Sequence, residues 1–374
     1  MKIAVAGTGY VGLVTGVCLA SKGHQVTCVD VDESKVEIMK KGISPIYEPG
    51  LSELMTDNME RLDFTTDYAK AYKDAEVIFI GVGTPEKKDG SANLSYVYTV
   101  VEQIAASVEH ECVVVVKSTV PIGTNDKIET YIIEHLKHDV PVHIASNPEF
   151  LAQGTAVRDT LHASRIVIGA ESDYAKKVLE KVYENFEAPK VITNRRSAEM
   201  IKYASNDFLA LKISYVNEIA NLCEIVGADI EDVTKGMGLD ARIGDKFLNS
   251  GIGYGGSCFP KDTKALSWLA SFNDNEIKGR INLAGGEPLM SRNIDRLIDY
   301  IASKGIEVSI ITNGYYLDDS FIERHKNQVS TIGISVDSLD YDTNVLIGRC
   351  FKANTLSKEQ LIHICNSIKK QVLD

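Results

Sequence analysis

The chain has 374 residues, 25% charged and 44% hydrophobic, the composition of a globular protein long enough for two or three cores. A formal charge of −12 argues against a general nucleic-acid binder, which carries a net basic surface, but leaves room for a local basic pocket. Seven cysteines lie at 18, 28, 112, 223, 258, 350 and 365 with no CxxC or CxxxCxxC, so neither a zinc site, a cysteine-held cluster nor a disulfide framework is expected. No apolar run approaches the roughly 20 residues that cross a bilayer. "MKIAVAGTGYVG" enters a strand directly, without a signal-peptide h-region. The expectation is a cytoplasmic protein with no membrane partner.

"KIAVAG" is a short apolar run ending in glycine, the pattern of a strand buried on both faces. "GTGYVG" follows, placing Gly7, Gly9 and Gly12 as GxGxxG, and "LVTGVCLASKG" reads as a helix stopped by Gly23. "HQVTCVDVD" is the next strand and delivers Asp30, 18 residues beyond Gly12. Glycines between strand and helix, with an acid at that distance, form a dinucleotide fingerprint. The turn lets a pyrophosphate approach the helix N-terminus, and the carboxylate accepts from the adenosine ribose. A carboxylate there favours NAD over NADP, whose 2′-phosphate it would repel.

Three more runs, "AEVIFIGVGTP", "ECVVVVKSTVPIGT" and "VHIASNPEFLAQG", pass from apolar strand to small polar residues: Thr84, Ser118 with Thr119, and Asn147. Ligands collect at the carboxyl ends of such strands, although any one loop alone reads as turn chemistry. Residues 196–226 carry a long helix pattern, with Ile201, Ala204, Phe208, Ile213, Val216, Ala220 and Cys223 at spacings of three to five. Lys202 and Asn206 are four apart and share a face. That face is either solvated or aimed into a pocket. The glycines of "FLNSGIGYGGSCFPKD", which suit close backbone approach to a ligand, favour the pocket. Cys258 is likewise either a small buried thiol or a nucleophile whose thiolate Lys202 or Lys261 would stabilise.

The fingerprint, "STVPIGT", "NPEFLAQG", "KYASNDFLALKISYVNE" and "GIGYGGSCFPKD" together resemble UDP-glucose 6-dehydrogenase, over residues 1 to about 268. The sister family, GDP-mannose dehydrogenase, uses related motifs. The resemblance implies NAD-dependent oxidation of a sugar-nucleotide alcohol to a carboxylate through a thiohemiacetal and a thioester on Cys258. It implies that Lys202 and Asn206 stabilise oxyanions, that Asp262 orders or activates water, and that Thr119 and Glu149 hold polar groups near the reacting carbon. NAD contacts would come from the glycine turn, Tyr10, Val11, Asp30, Lys35, Thr84, Thr119, Glu149 and Lys261. The sugar nucleotide would meet Glu149, Phe150, Leu151, Lys202 and Asn206, with Phe247, Leu248, Asn249, Ser250, Gly251 and Gly255 on the other side. Many members carry glutamate where this chain has Gln153, which hydrogen-bonds but cannot act as a base, so that role falls to Glu149 or Asp262. A homodimer through the long helix is also implied.

The family's usual "FKPxTDDxR" segment does not follow. From about residue 276, "GRINLAGGEPLMS", "GIEVSIITNGYYLD" and "VSTIGISVDSLDYDTNVLIGR" resemble a viperin-like radical SAM enzyme. In that family Gly285 to Pro288 would bind the amino group of S-adenosylmethionine, and Thr312-Asn313 and Ser335 to Ser338 would line the site. Without CxxxCxxC, neither S-adenosylmethionine chemistry nor a 4Fe–4S cluster is expected. The expected fold is α/β: a Rossmann-like, doubly wound parallel sheet over 1–195, a central long-helix domain over 196–268, and a partial βα-barrel fragment over 276–374. The reading is a junction of two enzymes. The alternatives are a radical SAM nucleotide-modifying protein and a non-catalytic NAD-binding chimera.

Overall fold

A computed structural model describes residues 1–88, 90–251, 253, 255, 259–272, 280–283, 288–291, 293–303, 305–312, 314, 316–334, 362–364 and 366. It divides into two units, Met1–Asp274 and Asn275–Asp374.

The first unit opens with β1 (Lys2–Ala6), α1 (Tyr10–Ser21), β2 (Gln25–Val29), α2 (Glu33–Lys40), α3 (Leu51–Asp57), β3 (Leu62–Thr65) and α4 (Tyr68–Lys73). It continues with β4 (Val77–Ile80), α5 (Ser95–Ser107), β5 (Cys112–Val116), α6 (Thr124–His135), β6 (Val142–Ser146), α7 (Ala156–Leu161), β7 (Ile166–Ala170), α8 (Asp173–Val182) and β8 (Lys190–Thr193). The long α9 (Arg195–Val226), α10 (Ile230–Gly238) and α11 (Phe259–Phe272) complete it. The strands form one sheet in the order β3-β2-β1-β4-β5-β6-β7-β8, parallel except between β6 and β7. This is the doubly wound α/β architecture anticipated from the βα repeats.

Alternation along each strand separates two cores. Ile3 and Val5, Val77 and Phe79, and Val113 and Val115 face α1, α7 and α8. Ala4 and Ala6, Ile78 and Ile80, and Val114 and Val116 face α5 and α6. Both faces are covered, so these strands read as continuous apolar runs; each fully buried Val or Ile contributes roughly 1.5–3 kcal/mol.

Helix α9 departs from the stripe read along it. Its buried side chains include Ala198, Glu199, Lys202, Tyr203, Asn206 and Ala210, whereas Phe208, Leu211, Tyr215 and Ile225 are exposed. Among the residues of that stripe only Val216 and Cys223 are buried. The polar pair Lys202/Asn206 therefore lies on the inner face, because that face meets β6, β7 and α11.

The second unit holds β9 (Arg280–Leu283), α12 (Ile294–Ser303), β10 (Glu307–Thr312), α13 (Asp319–His325) and β11 (Val329–Ile334). Its three parallel strands, in the order β11-β10-β9, carry a separate core around Ile298, Ile301, Val308, Ile310, Phe321 and Ile322.

Candidate active site

The fingerprint glycines sit between β1 and α1. Gly7 adopts a φ of +91°, the left-handed region that favours glycine. A Cβ on Gly12 would lie 2.0 Å from the Gly7 carbonyl oxygen, so only glycine lets the turn close against the helix. Gly9 caps α1, no side chain occupies the cap, and a Cβ there would meet open space. The first-turn amides thus face a cradle suited to an anionic group. Asp30 follows β2, and its carboxylate accepts from the Thr8 amide and hydroxyl and from the Asp32 amide. Burial alone would raise this carboxyl, but the Thr8 and Asp32 hydrogen bonds and the Lys35 charge hold it below the usual range. The residues present fit a dinucleotide: backbone donors at a helix start and an anionic acceptor at the next strand end.

Thr84 follows β4 and Thr119 follows β5, and the Thr84 hydroxyl donates to the Thr119 carbonyl at 2.9 Å, tying the two strand-end loops together. Glu149 follows β6. Its Oε1 accepts from Lys202 Nζ at 2.9 Å and its Oε2 from the Leu151 amide at 2.9 Å. The Lys202 and Glu149 side chains are only 4% and 8% exposed, so this is a buried ion pair. One turn along α9, Asn206 Nδ2 donates to Asp262 Oδ2 at 2.6 Å, and Lys261 Nζ meets Asp262 Oδ1 at 2.6 Å.

A cleft of about 860 Å³ joins several of these groups. Tyr10, Val11, Glu149, Phe150, Leu151, Lys202, Asn206, Phe247 and Gly255 line it, as does Gln153. Thr84, Thr119, Asp30, Lys35, Lys261 and Asp262 do not line it, and Asp262 is 1% exposed. On the far side, Phe247 holds a φ of 62° and packs edge-on to Phe259, with ring centroids 6.2 Å apart. Leu248 is buried, Asn249 and Ser250 are exposed, and the Gly251 amide donates to Asn217 Oδ1 at 2.8 Å. None of these four lines the cleft. Cys258 lies outside the described residues, immediately before α11. So do Gly285 to Glu287, Asn313, Ser335 to Ser338, Cys350 and Cys365. Thr312 is buried at the end of β10. Among the described residues, no group of three or more His, Cys, Asp or Glu could hold a metal ion. No helix among them is long and apolar enough to cross a membrane.

Four Lys and Arg residues lining the cleft escaped the sequence reading, Lys117, Arg158, Arg165 and Lys246, and Lys117 and Arg165 make contacts inside it. Lys117, directly after β5, is buried and donates to Asn147 Oδ1 at 3.0 Å; burial lowers it to about 8. Arg165, just before β7, stacks on Phe150 at 3.9 Å and donates to Ser205 at 3.0 Å, with Lys202 Nζ 5.5 Å from the same ring. The available signal was a charge abutting an apolar strand run, in "VVVVK" and "RIVIG".

The family model "UDP-glucose/GDP-mannose dehydrogenase family, NAD binding domain" matches residues 1–187, and that family's central-domain model matches 196–280. A radical SAM superfamily model matches 262–370. A UDP-glucose 6-dehydrogenase of Bacillus subtilis is 57% identical over 272 residues, covering 72% of this chain and 62% of that protein. One from Rickettsia bellii is 42% identical over 383 residues, covering 99% of this chain and 86% of that protein. The chain spans about three fifths of the length of most of the first curated relatives it matches. Among solved structures, a UDP-glucose dehydrogenase from Pyrobaculum islandicum aligns with a TM-score of 0.71 at 33% identity, over 88% of this chain and 85% of that one. A GDP-mannose dehydrogenase from Pseudomonas aeruginosa aligns with a TM-score of 0.63 at 30% identity, over 95% of each. With the glycine turn, Asp30 and the Glu149–Lys202 pair built on an eight-stranded sheet, these matches establish that the chain belongs to the UDP-glucose/GDP-mannose dehydrogenase family.

Proposed function

We propose that the chain oxidises UDP-glucose to UDP-glucuronate, consuming two NAD and one water. The observation that carries this reading is one cleft lined both by the first turn of α1 and by the buried Glu149–Lys202 pair with Asn206. Bound NAD supplies the hydride acceptor for each of the two oxidations. The Cys258 thiolate adds to the aldehyde carbon, forming the C–S bond while the carbonyl electron pair moves to oxygen. Lys202 and Asn206 donate to that oxyanion, stabilising the charge that develops on it. The second oxidation yields a thioester. Water adds to its carbonyl, the C–S bond breaks, and the thiol and the carboxylate are released. Glu149 holds the Lys202 ammonium in position, and Asp262 holds the Asn206 amide. Gln153 lines the cleft without base capacity, so proton removal falls to Glu149 or Asp262.

We assign NAD binding to residues 1–195, dimerisation and substrate contacts to 196–268, and a radical-SAM-like fragment to 276–374. Exposed Phe208, Leu211, Tyr215 and Ile225 along α9 support a homodimer through that helix. The test is absorbance of reduced NAD after mixing the chain with NAD and UDP-glucose. Two NADH per UDP-glucuronate is expected, and a folded chain that binds NAD but yields no acid would overturn the reading. Cys258→Ser should halt oxidation at the aldehyde level; undiminished acid formation would refute the nucleophile role.

A further inference from the structure

Among the described residues, the Tyr203 hydroxyl and Asp207 Oδ1, both on α9, are buried side-chain atoms with no hydrogen-bond partner. The residues are four apart, so they leave one face of the helix a turn apart. Tyr203 is 1% exposed. Unmatched buried polar atoms are rare, and ordered water is their common partner. A phenol that donates and a carboxyl oxygen that accepts, one helical turn apart, are complementary partners for one water.

Asp262, on the neighbouring α11, is matched differently. Lys261 and Asn206 each approach one of its oxygens at 2.6 Å. Among the described residues, no cation is in contact with Asp207. When two carboxyls share a poorly hydrated region and one has a cation, the charge settles there and the proton on the other. Burial first, and the Asp262 charge second, push the Asp207 carboxyl up to about 6. The Tyr203 phenol is pushed up by burial, then by Asp262, Glu199 and Asp207, so it remains a donor across the neutral range. Among the described residues, the titratable and charged groups that act on the site are Glu199 and Tyr203 on α9 and Asp262, with its partner Lys261, on α11.

We propose that Tyr203 and Asp207 hold one buried water near Asp262, and that Asp207 is a positioning residue whose ionisation alters the hold of Asp262 on Lys261 and Asn206. The inference rests on the reading of Asn206 and Asp262 as part of the active site. When Asp207 ionises, a second negative charge appears behind Asp262, and its hold on Lys261 and Asn206 changes with pH.

A crystal structure of the full chain with NAD, at a resolution that shows ordered water, should place a water within hydrogen-bond reach of the Tyr203 hydroxyl and Asp207. A dry site overturns the water. NMR of protein labelled with ¹³C at the aspartate carboxyls should show one group titrating near pH 6. That signal should vanish in Asp207→Asn, persist in Tyr203→Phe, and move to lower pH in Asp262→Asn. An Asp207 midpoint in the ordinary aspartate range, or one unmoved by Asp262→Asn, overturns the pair. Neither measurement needs turnover, so a chain that makes no acid would count against the proposed reaction while these arms still decide the inference. Where turnover occurs, the rate should step near pH 6 and Asp207→Asn should abolish the step, while Asp207→Glu should retain one; a step surviving in Asp207→Asn overturns the positioning role.

Discussion

Lys202 and Glu149 show how a residue's neighbours decide what it does. Removing one member of a buried pair strands the other charge, so Lys202→Met should cost about 3–5 kcal/mol of stability as well as activity. Chemical denaturation checks this, and the double variant Lys202→Met with Glu149→Gln should recover much of the stability without recovering turnover. Lys117 makes a separate pH prediction. Its folded value, about 8, lies below the roughly 10.4 of an unfolded lysine. Between those values the unfolded chain binds the extra proton, so this residue's contribution to stability rises with pH. Against Lys117→Met, the wild type should gain stability from pH 8 upward; a constant difference between the two would show that burial does not lower Lys117 in the folded chain. Lys202 and Asn206 were legible in the sequence as one helix face, and Asp30 as a strand-end acid. Lys117 and Arg165 were not, because their importance comes from burial against Asn147 and stacking on Phe150, partners 30 and 15 residues away.

At the level of elements, the β1–α1 turn is the most tightly determined piece. A Cβ at Gly12 collides with the Gly7 carbonyl, which is backbone and cannot step aside. Gly12→Ala should therefore weaken NAD binding by roughly tenfold or more, equivalent to 1.4 kcal/mol or more, as calorimetry would read it. Wild-type affinity in that variant would mean the turn opens without cost. Strands β1, β4, β5 and β6 were readable because burial on both faces demands continuous apolar runs. Strand β8, with Val191 and Ile192 exposed at the sheet edge, carries no such demand. Helix α9 was readable in extent, but of the apolar stripe read along it only Val216 and Cys223 are buried. Tertiary contacts with β6, β7 and α11 decide which face is inner, and that face carries Glu199, Lys202 and Asn206.

On the scale of the whole molecule, two units with separate cores should unfold in two calorimetric transitions. A single cooperative transition would show that they melt as one. The outward face of α9 gives the oligomer prediction: Leu211→Asp with Ile225→Asp should shift the chain toward monomer in analytical ultracentrifugation if that face is the dimer contact. By itself, the sequence determined the α/β class, the dinucleotide turn, the family and the change of character near residue 276. Each is written in local spacing or in contiguous motifs. Only the tertiary structure decided which charges lie buried together, that Asp262 is sealed behind Asn206, and that the Tyr203 hydroxyl and Asp207 Oδ1 lack partners among the described residues. Those facts depend on distances between segments tens of residues apart, and no local pattern encodes them.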